Sequence, residues 1–188
     1  MQNDKVHVSR AEDHVPVDEF VSHAPERVEQ MLKAGVSRYE ILTRLATAGE
    51  VLAGPGSSVS ILVLGEDGLL RNGASPSLPA DYLDAIDCLK PDARVGTCAA
   101  AAATGSVVFT PDFLSDDKWA ELRHLPTSLG FVGAWSLPIK APGGEKVLGT
   151  FGTYFRQQRI PTAVEQGAVE RLASAAALVL IRHQPSQA

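Results

Sequence analysis

Thr97 and Cys98 stand where the sequence could support ligand binding or thiol chemistry. A helix is predicted to begin at Thr97, which could cap it, and to run through five alanines until Gly105 stops it. The unpaired backbone N–H groups of its first turn, those of Cys98 and Ala99 among them, could hold an anionic group. The helix dipole would lower the pKa of the thiol. A small buried thiol packed under a sheet is the alternative for Cys98.

The alanine tract itself has two interpretations. Its five residues carry little side-chain bulk, so either the helix packs very close to a sheet or a cavity lies beside it. The sequence leaves this choice open.

Motifs of metal-dependent and nucleophilic enzymes are missing from the sequence. It contains no G-x-S-x-G elbow, no H-E-x-x-H motif and neither glycine-rich phosphate-binding pattern. Its histidines show no metal-ligand spacing: His7, His14, His23, His124 and His183. We therefore predict no metal site, and the residues assign no cofactor.

Composition limits the remaining classes. The 188 residues fit one domain, and 45% hydrophobic with 21% charged residues indicate a globular chain. A net charge of −5 without a Lys/Arg cluster argues against a nucleic-acid partner. No apolar run approaches the ~20 residues of a membrane span. With only two cysteines, Cys88 and Cys98, we expect free thiols and a cytoplasmic location.

Hydrophobic periodicity predicts the elements that position these residues. We expect a flexible arm over residues 1–15, a single domain over 16–183 and a short tail over 184–188. A capping box of Ser37 and Glu40 predicts a helix from Arg38 to Leu52. The other predicted helices are Pro16 to Gly35, a short one from Pro79 through Ile86, Thr97 to Thr104, Asp116 to Leu125 and one starting at Pro161-Thr162. The predicted strands are Val59 to Leu64, Leu69 to Ala74, Val107 to Phe109, Ala134 to Ile139 and Val147 to Phe155. This order predicts an α+β fold with a mostly antiparallel central sheet flanked by helices.

Five motifs occur in an order that resembles the GAF domain of bacterial signalling proteins, over about Leu70 to Ile181. They are Ala74-Ser75-Pro76-Ser77-Leu78-Pro79, Val95-Gly96-Thr97-Cys98-Ala99-Ala100-Ala101, Asp116-Asp117-Lys118-Trp119, the stretch from Leu129 to Ile139, and the stretch from Val147 to Tyr154. The resemblance implies a PAS-like sheet with the first and last helices packed together. It also implies a small-molecule ligand between the sheet and a layer of loops and short helices. The segment after Cys98 reads Ala-Ala-Ala where the family often has Gly-Thr-Ala, a departure in the pocket region.

The same resemblance places Trp119 and Trp135 at the border of the pocket, where each offers an apolar face and an N–H donor. Closing the core is the alternative for Trp119. Strand alternation makes Ser136 point away from Trp135, so only one of that pair faces inward. Thr150 lies on the last strand. Arg123, four positions after Trp119 on a predicted helix, could meet an anionic ligand, with a solvated arginine as the alternative.

Function is expected to be that of a stand-alone sensory or regulatory module. Only seven residues follow Ile181, so the signal would pass through a homodimer, formed by the N- and C-terminal helices, or to a downstream signalling protein. An alternative follows from Cys88 and Cys98, ten positions apart as in GAF proteins that reduce free methionine (R)-sulfoxide. These use a further cysteine that is missing here between Phe109 and Ile139. A ligand-free dimerisation module is the second alternative.

Overall fold

The computed structural model describes residues 16–182. The expected arm over residues 1–15, His183 and the tail over 184–188 lie outside the described residues. The helices are α1 (Val17–Ser22), α2 (Ala24–Lys33), α3 (Arg38–Ala53), α4 (Ala80–Ala85), α5 (Thr97–Thr104), α6 (His124–Ser128) and α7 (Ala163–Arg182). The strands are β1 (Ser58–Leu64), β2 (Leu70–Ala74), β3 (Val108–Thr110), β4 (Gly133–Lys140) and β5 (Val147–Phe155).

One antiparallel sheet forms the centre of the molecule. Its strand order is β2-β1-β5-β4-β3, and every neighbouring pair runs antiparallel. Helices cover both faces, which confirms the predicted α+β fold. Within residues 16–182, no helix combines the length and the apolar character that crossing a membrane would require.

Local signals define the two long helices. The Ser37 hydroxyl accepts a hydrogen bond from the Glu40 N–H at 3.2 Å and starts α3, as predicted, while the Glu40 carboxylate binds Arg44 instead of returning to Ser37. At the start of α7 the capping box is complete in both directions: the Glu165 N–H donates to the Thr162 hydroxyl, and the Thr162 N–H donates to the Glu165 carboxylate.

Prolines divide two of the predicted helices. The single helix expected from Pro16 to Gly35 breaks at His23, where Pro25 has no N–H with which to continue and sits in the first turn of α2. The helix expected from Asp116 to Leu125 is instead one 3₁₀ turn, Asp117–Trp119, followed by α6. Pro126 cannot donate back to Leu122, so the two pieces stay separate.

The sheet separates two hydrophobic clusters. On one face α1, α2, α3 and α7, here called the helical layer, bury residues such as Leu45, Phe151 and Leu172. There α2 packs against α7, so the first and last helices lie together as expected. On the other face α4, α5, the 3₁₀ turn and α6, here called the cavity layer, bury an aromatic group with Trp119 and Tyr154.

Candidate functional site

The N-terminus of α5 lies against the sheet in the cavity layer. Its N-cap is Gly96, at φ +56°, a conformation that favours glycine, and no side chain caps the first turn. The predicted capping role of Thr97 is wrong because the N-cap position falls on Gly96 and Thr97 is already the first helical residue. The Thr97 hydroxyl instead accepts a hydrogen bond from the Trp119 indole N–H at 3.2 Å. Gly105 ends the helix as predicted.

Three buried serine and threonine side chains, here called the hydroxyl cluster, lie on the sheet beneath Cys98. They are Ser60, Ser136 and Thr150, each fully buried. Ser60 and Ser136 flank Gly152 in register, and a Cβ on Gly152 would lie 2.7 Å from Cys98 Sγ. The helix therefore approaches the sheet this closely because residue 152 is glycine. The alanine tract reflects close packing, with Ala99 also buried.

The hydroxyl cluster is unusual because its polar atoms are not satisfied. Within the described residues, the oxygens of Ser60, Ser136 and Thr150 make no hydrogen bond of good geometry, and only the Cys98 thiol, a weak partner, lies beside those of Ser136 and Thr150. The buried Tyr82 hydroxyl nearby also makes no such bond within this part of the chain. Most buried polar groups in proteins are hydrogen-bonded, so four unpaired oxygens around one helix start need an explanation.

Trp119 forms the outer wall over the α5 N-terminus. Its ring packs on Phe113 with centroids 4.5 Å apart, and it is 4% exposed. The backbone beside it is held to α5 by a hydrogen bond from Gly96 N–H to the Lys118 carbonyl at 2.7 Å. The bonds to Thr97 and Gly96 therefore hold the wall against the α5 N-terminus.

Asp116 fixes the start of that wall. Its carboxylate accepts from the Lys118 ammonium, from the Lys118 N–H and from the Thr110 hydroxyl on β3. Burial raises the pKa of Asp116, but these hydrogen bonds outweigh it and hold the pKa below its ordinary value. The carboxylate is therefore engaged in structure and not aimed at the α5 N-terminus.

The cavity between these elements is small. It encloses about 20 Å³, room for about one water molecule. Its lining contains only uncharged side chains: Leu62, Tyr82, Ile86, Leu89, Val95, Gly96, Thr97, Cys98, Ala99, Trp119, Leu122 and Tyr154. A larger space for a guest was expected here, and the structure shows it closed.

Two expected site residues lie elsewhere. Trp135 belongs to the helical layer, stacked on Phe109 with centroids 6.0 Å apart, because Ser136 takes the cavity side of β4. The two tryptophans therefore do not border one pocket. Arg123 does not share a helix with Trp119, and its guanidinium donates to the Leu114 carbonyl at 3.0 Å, away from the cavity lining.

Neither cysteine has the environment of a reactive thiolate. Burial raises the pKa of Cys98, and the nearby hydroxyls of Ser136 and Thr150 lower it only in part. This corrects the expectation that the helix dipole would dominate. Cys88 is exposed at φ +58°, and its hydrogen bond to the Asp87 carboxylate raises its pKa.

Sequence reasoning missed three members of the site: Ser60, Tyr82 and Tyr154. The signal for Ser60 is its position on β1 opposite Gly152, which only the strand register shows. Tyr82 and Tyr154 meet edge to face with centroids 5.9 Å apart, although 72 positions separate them in the chain.

Larger grooves occur on the surface. One of about 670 Å³ lies between α1, α2 and α3, and one of about 660 Å³ lies beside the β1–β2 hairpin. Within residues 16–182, no group of three or more His, Cys, Asp or Glu side chains is placed to hold a metal ion.

Comparisons with known proteins agree with this architecture. The model of the GAF domain matches residues 16–180. The chain is 34% identical over 140 residues to a methyl sulfide methyltransferase-associated sensor of Methanosarcina acetivorans. The match covers 74% of this chain but only 14% of that relative's length.

Solved structures share the fold at low identity. A domain of a putative two-component sensor histidine kinase from Sinorhizobium meliloti superposes with a TM-score of 0.63 at 19% identity, covering 78% of this chain and 92% of that one. A type II free methionine-R-sulfoxide reductase from Thermoplasma acidophilum superposes with a TM-score of 0.60 at 17% identity, covering 78% and 96%. The order of the motifs, the antiparallel sheet covered on both faces and the match to the family model over residues 16–180 together show that this chain belongs to the GAF domain family.

Proposed function

We propose that this GAF domain is a sensory module that binds a small molecule at the α5 N-terminus, in the cavity closed by Trp119. The observation that carries the proposal is the buried Tyr82 hydroxyl, which lines this cavity without a hydrogen bond of good geometry to any described residue. Together with the uncapped first turn of α5, it offers hydrogen bonds that the protein leaves unused, and the hydroxyl cluster lies beneath Cys98 on the same side of the sheet.

Binding requires the cavity to open, because about 20 Å³ admits nothing larger than a water-sized molecule. The wall that moves is the segment carrying Trp119, which leaves when its bonds to Thr97 and Gly96 break. A ligand that takes over those hydrogen bonds would stabilise the open form by its differential affinity for it.

A thermal-shift screen with anions, purines, cyclic nucleotides and aromatic acids tests this proposal, since a bound ligand raises the melting temperature by mass action. Ala99→Val fills the cavity and should abolish the shift. Ala103→Val makes the same change on the exposed side of α5 and should retain it. If no compound gives a shift that Ala99→Val removes, the ligand-free dimerisation module becomes the better explanation.

The signal is proposed to leave through the helical layer, by homodimerisation or a downstream signalling protein. The groove between α1, α2 and α3 is lined half by apolar residues, among them Phe20, Met31 and the 58% exposed Val51, and half by polar ones that include two arginines. A second copy of the chain would cover this surface together with α7, which packs beside it.

Sedimentation at micromolar concentration tests the dimer. The wild type should sediment as a dimer and Val51→Glu as a monomer. Leu114→Glu, at a 66% exposed position in the loop between β3 and the 3₁₀ turn, should leave the dimer intact. A monomeric wild type would remove the dimer from the proposal and leave the partner protein.

A further inference from the structure

We infer that the ligand of this site is an uncharged molecule that presents an amide-like or carbonyl-like group to the α5 N-terminus. This inference rests on the proposed function, and it excludes carboxylates, phosphates and zwitterions as the principal ligand. The geometry that supports it is the cavity lining and the hydroxyl cluster beneath it.

The lining offers no charge to pair with. All twelve of its residues are uncharged. Three charged side chains on the segments around the cavity are engaged elsewhere. Lys118 pairs with Asp116, and the Arg123 guanidinium binds the Leu114 carbonyl.

Arg94 is 88% exposed at its side chain and pairs with Asp92 on the surface. An ionic ligand in the cavity would therefore be buried without a counter-ion. The desolvation penalty of a buried, unpaired ion exceeds the stabilisation that the partial charge of one helix N-terminus provides.

The unpartnered groups are matched to a neutral polar ligand. Hydroxyl groups donate and accept hydrogen bonds, so they complement a carbonyl oxygen and an amide N–H equally well. The Tyr82 hydroxyl lies beside the Tyr154 side chain but makes no hydrogen bond of good geometry within residues 16–182, although the residue is only 4% exposed and lines the cavity. Burial raises the pKa of Tyr82, so the phenol stays protonated and able to donate.

The hydroxyls of Ser136 and Thr150 lie deeper, beneath Cys98, whose pKa burial also raises. The thiol is consequently neutral. The polar end of the site therefore contains donors and acceptors without formal charge. The rings of Trp119 and Tyr154 supply flat apolar surface for the body of the ligand.

Matched pairs of probes test the inference. Nicotinamide and nicotinate, benzamide and benzoate, and indole-3-acetamide and indole-3-acetate differ in charge at nearly equal size. The readouts are the fluorescence of Trp119 in the Trp135→Phe protein, for the first two pairs, and the melting temperature for all three. Trp135 lies in the other layer, so its removal leaves Trp119 as the only tryptophan. In any of these pairs that binds, we expect the amide to bind at least tenfold more tightly than the matching carboxylate. Ala99→Val should abolish this binding.

A charge added to the wall should reverse the preference. Leu122→Arg places a cation in the lining and should make the carboxylate the tighter partner. Leu125→Arg, on the same segment but outside the lining, should leave the amide preferred.

The outcomes separate the two proposals. If a carboxylate binds the wild type as tightly as its amide in an Ala99→Val-sensitive manner, this inference fails and the proposed function stands. The inference also fails, with the proposed function intact, if only charged members of the wider screen bind. If neither the pairs nor the wider screen gives Ala99→Val-sensitive binding, the proposed function fails and the inference with it.

Discussion

The two faces of the sheet differ in the kinds of side chain that pack against them. The helical layer is aliphatic and alanine-rich, with three consecutive buried alanines in α7 and bulky side chains such as Leu172 and Phe151 filling the space to the sheet. The cavity layer combines aromatic rings with unpaired hydroxyls and short, irregular segments. The helical layer is filled mainly by dispersion contacts, although the hydroxyls of Thr43 on α3 and Thr153 on β5 also have no partner there among the described residues. The cavity layer instead concentrates its unpaired oxygens around the start of one helix, α5.

The largest difference between the faces should appear when leucines are truncated. Leu172→Ala removes a fully buried side chain from the helical layer and should lower the free energy of unfolding by about 2–5 kcal/mol. Leu122→Ala, at a partly buried position that lines the cavity, should cost only about 1 kcal/mol. Urea unfolding of both variants measures this. Equal losses would show that the cavity layer is packed as tightly as the helical layer.

The contact between α5 and the sheet provides the next test. Gly152→Ala introduces a Cβ 2.7 Å from Cys98 Sγ and should destabilise the protein by about 1–3 kcal/mol. In a Cys98→Ala background the sulfur is gone, so the same substitution should cost much less. A double-mutant cycle by urea unfolding gives the coupling energy between the two positions. A coupling near zero would mean that Cys98 turns away from the sheet without cost.

These contrasts also show what the sequence could and could not predict. The start of α3 at Ser37 and of α7 after Thr162 depends on neighbours within three positions, so local patterns were sufficient. Asp116 caps the 3₁₀ turn as a helix-start residue should, but the helix expected over Asp116 to Leu125 does not continue, because Pro126 has no N–H to donate to the Leu122 carbonyl.

The site was harder to predict because it depends on register. Alternation along β4 shows that Trp135 and Ser136 point to opposite faces, but only the packing of α5 and α7 decides which face each one takes. The predicted fold class, antiparallel sheet and paired terminal helices were correct. The size of the cavity depends on side chains from α4, α5 and the 3₁₀ turn, which no local pattern brings together.

Acid should affect the cavity layer through Asp116. Its pKa is held below the ordinary 3.8, so its ionised form stabilises the fold above that pH, and this stabilisation is lost as the pH falls through the lower folded-state pKa. The free energy of unfolding should therefore decline less between pH 5 and about pH 3 in Asp116→Asn than in the wild type. Asp112→Asn, at a neighbouring loop position without an ion pair to Lys118, is the control. Parallel pH profiles for wild type and Asp116→Asn would contradict this assignment.

The smallest effect, and the one most informative about the site, is expected at Ser136. Its hydroxyl is buried with no better partner than the weakly hydrogen-bonding Cys98 thiol, so Ser136→Ala should leave the free energy of unfolding unchanged or raise it. Ser75 is also a buried serine, but its hydroxyl donates to the Asn72 side chain at 2.7 Å, and Ser75→Ala should cost about 1 kcal/mol. Urea unfolding of both variants compares an unused hydroxyl with a used one. A loss at Ser136 as large as that at Ser75 would mean that its hydroxyl is already satisfied, which would remove the hydroxyl cluster as the reason for a ligand at this face.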